Sequence, residues 1–205
     1  MKTFQRALDG LHPKNKIKAI IPFSYDAFKS ETGFPSGGVF HEEIKATSLR
    51  IVQLLNANDA PFVVCIAPYR IFFEKPDIPV GLDFATFGGN LGSFTDNNLK
   101  YTNMFDVNYD TVVSALAKIG FPKMRVVVGE IGWPTDGAIS ANLTTAQFFY
   151  DKLMQKIAKN VGTPIRPGPL EVYLYNLFDE NNNSISTGAF ERHWGIFQYD
   201  GKPKY

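Results

Sequence analysis

The sequence is poorest in cysteine: Cys65 stands alone among 205 residues. A single thiol allows no internal disulfide and no cysteine-based zinc site. Set within Phe62-Val63-Val64-Cys65-Ile66, it reads as a small buried hydrophobe rather than a nucleophile. Excess charge of either sign is also missing, since 21 Lys and Arg against 20 Asp and Glu leave a formal net charge of +1. A nearly neutral chain has no electrostatic basis for binding nucleic acid or an anionic membrane. No stretch nears the ~18 consecutive apolar residues of a membrane span. Met1 is followed by Lys2-Thr3-Phe4-Gln5-Arg6-Ala7-Leu8, an amphipathic pattern rather than the apolar core of a signal peptide. His12, His41 and His193 have no ligand spacing, so neither a metal nor a cofactor is expected.

What the chain does have is core-forming material: 44% hydrophobic and 14% aromatic residues, ample for one globular domain over residues 1–205. Periodicity and breakers predict a helix over 2–11, a strand from Lys16 to Phe23 and a helix from His41 to Asn56. A strand from Phe62 to Ala67, a helix from Asn108 to Ile119 and a strand from Met124 to Gly129 follow. The last pair is a helix capped by Thr144 or Thr145 and ending near Lys159, then a strand from Glu171 to Leu177. Such alternation implies a parallel sheet with right-handed crossovers, an α/β fold. Strand alternation assigns Val126 and Val128, and Ile17 and Ile21, to its inward faces. The connection from Pro68 to about Asn103 carries five Phe, which favours an ordered loop walling a cleft. Asn142-Leu143-Thr144 and Asn182-Asn183-Ser184 fit the glycan-acceptor pattern.

The stretch that points to chemistry is Arg125-Val126-Val127-Val128-Gly129-Glu130-Ile131-Gly132-Trp133-Pro134-Thr135-Asp136-Gly137. A β-branched run reads as a buried strand, and Glu130 stands at its C-terminal end, where α/β barrels keep their catalytic groups. Trp133 close by offers an indole face of the kind that stacks on sugar. Gly129-Glu130-Ile131-Gly132-Trp133-Pro134-Thr135 resembles the nucleophile signature of glycoside hydrolase family 17, the plant endo-β-1,3-glucanases and their relatives. Leu177-Phe178-Asp179-Glu180, Phe190-Glu191-Arg192-His193-Trp194-Gly195-Ile196-Phe197 and Asp200-Gly201-Lys202-Pro203-Lys204-Tyr205 continue the likeness.

The resemblance implies a partial (β/α)8 TIM barrel, roughly the second four strands with their helices; a full barrel takes ~250 residues. It implies an O-glycosyl hydrolase of the retaining type, acting on β-1,3-glucan in carbohydrate and cell-wall metabolism, at the cell wall or outside the cell. Glu130 matches the nucleophile, and Glu180 and Glu191 match acids lining the cleft. The family's proton donor follows the fourth barrel strand, and no residue of this sequence matches it. Two departures stand out. Asn183 replaces a lysine that commonly follows Glu180's counterpart, which removes a cation near the carboxylates. Cys65-Ile66-Ala67-Pro68 replaces Asn-x-Tyr-Pro, which leaves Tyr69, beside Phe72 and Phe73, and Trp133 as sugar-stacking surface. The rival expectation is a truncated, catalytically silent half barrel that binds glucan weakly. Its open edges are expected to make it self-associate or leave it only marginally stable.

Overall fold

Every strand of the main sheet points the same way, and each lies beside the next main-sheet strand in chain order. The computed structural model describes residues 1–11, 17–74, 81–89 and 92–205. In chain order its elements are α1 (Lys2–Leu11), β1 (Pro22–Phe23), β2 (Phe28–Ser30), β3 (Gly38–Phe40), α2 (Glu42–Ala57), β4 (Phe62–Cys65) and α3 (Pro68–Glu74). After these come α4 (Leu82–Ala85), β5 (Phe94–Asp96), β6 (Leu99–Tyr101), α5 (Met104–Lys118), β7 (Val126–Ile131), α6 (Leu143–Ala158) and β8 (Val172–Leu174). The main sheet runs β1-β4-β7-β8, all parallel, while β2-β3 and β5-β6 are antiparallel hairpins. Sequential strands joined by crossovers form a barrel wall rather than a doubly wound sheet. The fold is a partial α/β barrel.

Local chemistry fixes the helix starts. Asn103 caps α5 by accepting from the Asp106 amide at 2.9 Å. Asn142 caps α6 by accepting from the Thr145 amide at 2.9 Å, so the cap lies before Thr144 and Thr145 rather than on either. The strand expected over Lys16–Phe23 is confined to Pro22–Phe23, because only β4 pairs with it; Lys16 itself lies outside the described residues. β8 is likewise shorter than expected. The connection after Pro68 folds into α3, α4 and the β5-β6 hairpin, with 75–80 and 90–91 outside the described residues.

The sheet's two faces are the reverse of the expected assignment. Val126 and Val128 join Phe62, Val64 and Ile131 in one buried cluster with Val52 and Leu55 of α2, Phe105, Val112 and Leu116 of α5, and Phe149 and Leu153 of α6. That is the helix side. The concave side carries Lys18, Ile20, Val63, Arg125, Val127, Gly129, Glu171 and Tyr173 around a recess of about 400 Å³. A slip of one residue exchanges the faces, because side chains alternate with period two. Ile17 and Ile21 are exposed. Burying each large apolar side chain fully contributes about 1.5–3 kcal/mol, so the helix-side layer supplies most of the stability.

One polar group is sealed into that layer's margin. Asp110 is fully buried and accepts from Tyr101 Oη (2.9 Å), Thr163 Oγ1 (2.5 Å) and the Ile165 amide (2.9 Å). It thereby ties the hairpin, α5 and the segment after α6 together. Burial pushes its carboxyl up to about 6, against the pull of Thr163, Ile165 and Tyr101. The folded state therefore holds this proton more tightly than the unfolded chain does. Its contribution to stability is full below about pH 4, the unfolded value, and is lost as pH rises through 6. Asp110→Asn is expected to remove that slope from denaturant melts recorded across this range.

Candidate active site

The site begins with an irregularity in β7. Val64 pairs with Val128, but Cys65 pairs with Glu130, so β7 carries one extra residue, Gly129. Strict alternation would send Glu130 to the helix side with Val126 and Val128. The bulge turns it to the concave side instead, where it is exposed, and Ile131 resumes the buried row. The glycines flanking Glu130 follow from close packing. A Cβ on Gly129 would lie 2.5 Å from Val63 Cγ1, and one on Gly132 would lie 1.8 Å from the Tyr175 carbonyl oxygen.

Glu130 lines two recesses that meet at it. The smaller, about 160 Å³, is walled by Cys65, Arg70, Tyr175 and Trp194. The larger, about 550 Å³, runs along the concave face past Tyr25, Phe23 and Val63. In both, Glu130 is the sole carboxylate among the lining residues.

Arg70 of α3 organises the rim. Its guanidinium donates to Glu191 Oε1 at 2.5 Å and to Glu74 Oε1 at 3.0 Å. It lies 5.7 Å from the Phe190 ring and 5.9 Å from the rings of Trp194 and Tyr25. Tyr25 Oη donates to Glu74 Oε2 at 2.5 Å, which extends the network to the end of β1. Glu191 also accepts from Thr187 Oγ1 and, at 3.2 Å, from Trp194 Nε1. Glu180 accepts from Tyr175 Oη at 3.1 Å and Asn183 Nδ2 at 3.4 Å. Burial first, then the charges of Glu180 and Glu130, push the Tyr175 phenol up to about 12. Lys204 anchors the tail by donating to Asp179 Oδ1 (2.7 Å) and Thr135 Oγ1 (2.6 Å), which secures the segment leaving β7.

The structure thus brings Glu130 and Arg70 to one cleft, with Glu191 and Glu180 at its rim. It does not bring Tyr69 or Trp133 there as sugar-stacking surface. Both are fully buried: Tyr69 Oη donates to the Ile139 carbonyl at 3.1 Å and Trp133 Nε1 to the Ser140 carbonyl at 2.9 Å. Their rings meet edge to face at 5.0 Å and leave no face for a sugar. Neither lines a recess that holds Glu130; Trp194 and Tyr175 are the aromatic lining of the smaller one. Asn183 leaves no shortage of cations, because Arg70 supplies one from another element. No motif singled out Arg70, Tyr175 or Tyr25, whose roles come from contacts across up to 121 residues of sequence. Cys65 is half-buried and faces the cleft beside Glu130 instead of lying in the core. Among the described residues, no group of three or more His, Cys, Asp or Glu stands together as a metal site. Among them, too, no helix is long and apolar enough to cross a membrane.

Residues 1–205 match the family model described as Glycosyl hydrolases family 17. Glucan endo-1,3-beta-glucosidase 5 of Arabidopsis thaliana is 42% identical over 205 residues, 100% of this chain and 42% of that protein. Glucan endo-1,3-beta-D-glucosidase of Olea europaea is 36% identical over 211 residues, covering 100% of this chain and 45% of that protein. Among solved structures, CJP38, a β-1,3-glucanase and allergen of Cryptomeria japonica pollen, superposes with a TM-score of 0.92 at 32% identity. That match covers 100% of this chain and 62% of CJP38. The chain spans about two fifths of the length of these curated relatives.

The cleft's electrostatics are testable through its thiol. Burial, and then the neighbouring charge of Glu130, push the Cys65 thiol up to about 12. Thiolate is therefore scarce at pH 8, and alkylation of the folded chain is expected to be far slower than that of the urea-unfolded chain. Glu130→Gln removes the neighbouring charge and should speed alkylation, with burial still holding it below the unfolded rate. A second expectation concerns the rim. Arg70→Met leaves Glu191 buried without its cation, and denaturant melts should show a loss of about 3 kcal/mol.

Proposed function

The chain belongs to glycosyl hydrolases family 17, and from that premise we propose that it carries the nucleophile side of a cleft that cleaves β-1,3-glucan with retention. The observation that carries this reading is Glu130 itself: a carboxylate turned by a bulge out of the apolar layer and into a recess walled by Arg70, Tyr175 and Trp194. In a retaining mechanism one carboxylate attacks the anomeric carbon and forms a glycosyl ester. A second carboxyl group ~5–5.5 Å away protonates the departing sugar oxygen, then deprotonates the water that frees the product. Glu130 is assigned the first role. The cell wall, where β-1,3-glucan is found, is the proposed setting.

The second role is assigned outside residues 1–205. Glu191 is committed to Arg70, Thr187 and Trp194, and Glu180 to Tyr175 and Asn183. Neither lines a recess that holds Glu130. A second reading applies to residues 1–205 taken alone: a catalytically silent half cleft that binds glucan weakly. The two readings differ in one requirement, the proton for the leaving group.

Acid assistance is worth about 10²–10⁴-fold, and an alkoxide of glucose leaves poorly without it. Residues 1–205 alone are expected to leave laminarin, a β-1,3-glucan, uncut at an enzymatic rate. Any turnover should appear first on an aryl β-glucoside with an acidic phenol, and should vanish in Glu130→Gln. Joined to the upstream half of a related glucanase, the chain is expected to cut laminarin. Glu130→Ala should abolish this, and azide should restore cleavage of the aryl substrate by taking the nucleophile's place. Undiminished hydrolysis by Glu130→Ala would make Glu130 structural and overturn the reading.

A further inference from the structure

The main sheet ends in two unpaired edges: among the described residues, β1 bonds only to β4 and β8 only to β7. All four strands run parallel, so the free edge of β8 has the polarity to continue the sheet onto the free edge of β1 in another copy. Two copies related by a twofold axis along the barrel make that joint twice. Four strands from each then close at eight, the number at which inward side chains fill a barrel's interior. A joint of unlike edges that closes on itself stops at two copies and does not grow into a filament.

We propose that residues 1–205 associate with a second copy as a closed pair of half barrels, the β8 edge of each docking on the β1 edge of the other. The exposed apolar residues are placed for it. Ile20 and Ile21 flank β1, Tyr173 and Leu174 lie in β8, and all four are 37–59% exposed. The concave face adds the half-buried Val63, beside recesses of about 400 and 550 Å³ that the opposite copy would cover. The joint is confined to Ile20–Phe23 on the β1 side. Below it, Gln5 of α1 already engages the Ile17 carbonyl (2.8 Å) and the Ala19 amide (2.7 Å).

Sedimentation of the chain across a wide concentration range should show monomer and dimer and nothing larger. Ile20→Lys and Tyr173→Glu alter exposed positions, and each alone should be monomeric with an unchanged circular dichroism spectrum. Mixed together they should form a heterodimer, because one joint then pairs lysine with glutamate and the other is unaltered. Hydrogen exchange on the unaltered chain needs no variant: the amides of Val172 and Leu174, which point away from β7, should exchange more slowly at high concentration. A monomer at every concentration, open-ended oligomers, or no heterodimer from two folded variants would overturn the proposal. So would unchanged exchange at these edges. A chain that stays monomeric yet binds the upstream half of a related glucanase would show that the edges are meant for that half instead of a second copy.

Discussion

The extra residue in β7 decides where the cleft's carboxylate points, and the rest of the site depends on it. With Gly129 in regular register instead of bulged, period-two alternation would drive Glu130 into the layer of Val126, Val128 and Phe62. An ionised carboxylate there, with no partner, would cost several kcal/mol. The bulge removes that conflict by giving β7 two consecutive residues on the concave side and returning Ile131 to the core. It needs a residue without a side chain, because Val63 occupies the space a Cβ would take. Gly132 answers the same demand against the Tyr175 carbonyl. The Gly-Glu-Ile-Gly run is thus a packing solution first, and its chemical consequence is an acid held on a strand instead of a loop.

Around that acid, the rim is fastened by one guanidinium. Arg70 couples α3, the end of β1 through Glu74 and Tyr25, and the closing segment through Glu191. A buried pair of this kind adds little net stability, since desolvation offsets much of the attraction. What it fixes is arrangement: three segments far apart in sequence meet at one planar group with donors on both sides. The arrangement also explains why the rim acids differ in chemical availability. Glu191 has its oxygens occupied by three donors, whereas Glu130 faces open space with the half-buried thiol of Cys65 beside it.

Much of this was legible in the sequence, and the misses share a cause. The βα order, the strand leading to Glu130 and the likeness to family 17 all rest on local patterns, and each describes the folded chain, though the strand expected over Met124–Gly129 runs Val126–Ile131. The inward face was misassigned because alternation gives two faces without saying which is which. Val126 and Val128 look the same from either side until the helices are placed. Trp133 reads as a platform from its nearness to Glu130, and Tyr69 from its place after Pro68 at the end of the second strand, but the chain turns between strand end and aromatic and buries both rings. Arg70 carried no signal at all, because its meaning lies in partners 4 and 121 residues away. Cys65 was judged by its apolar neighbours in sequence, although alternate residues of a strand face opposite ways.

The sheet therefore has one finished face and one unfinished face. On the helix side, Phe62, Val64, Val128, Leu55, Leu116 and Leu153 are fully buried against elements of this same chain. On the concave side, Ile20 and Tyr173 stand exposed, and Arg125 pairs with Glu171 at 3.4 Å near the surface, an interaction of small net value. Folding draws on the first face, where each fully buried large side chain contributes about 1.5–3 kcal/mol. The candidate chemistry draws on the second, because the recess that holds Glu130 opens on that face. The two requirements are separable in this chain. The residues that make it fold are not those that would make it an enzyme, and whatever covers the concave face determines whether the carboxylate there acts on a glycosidic bond.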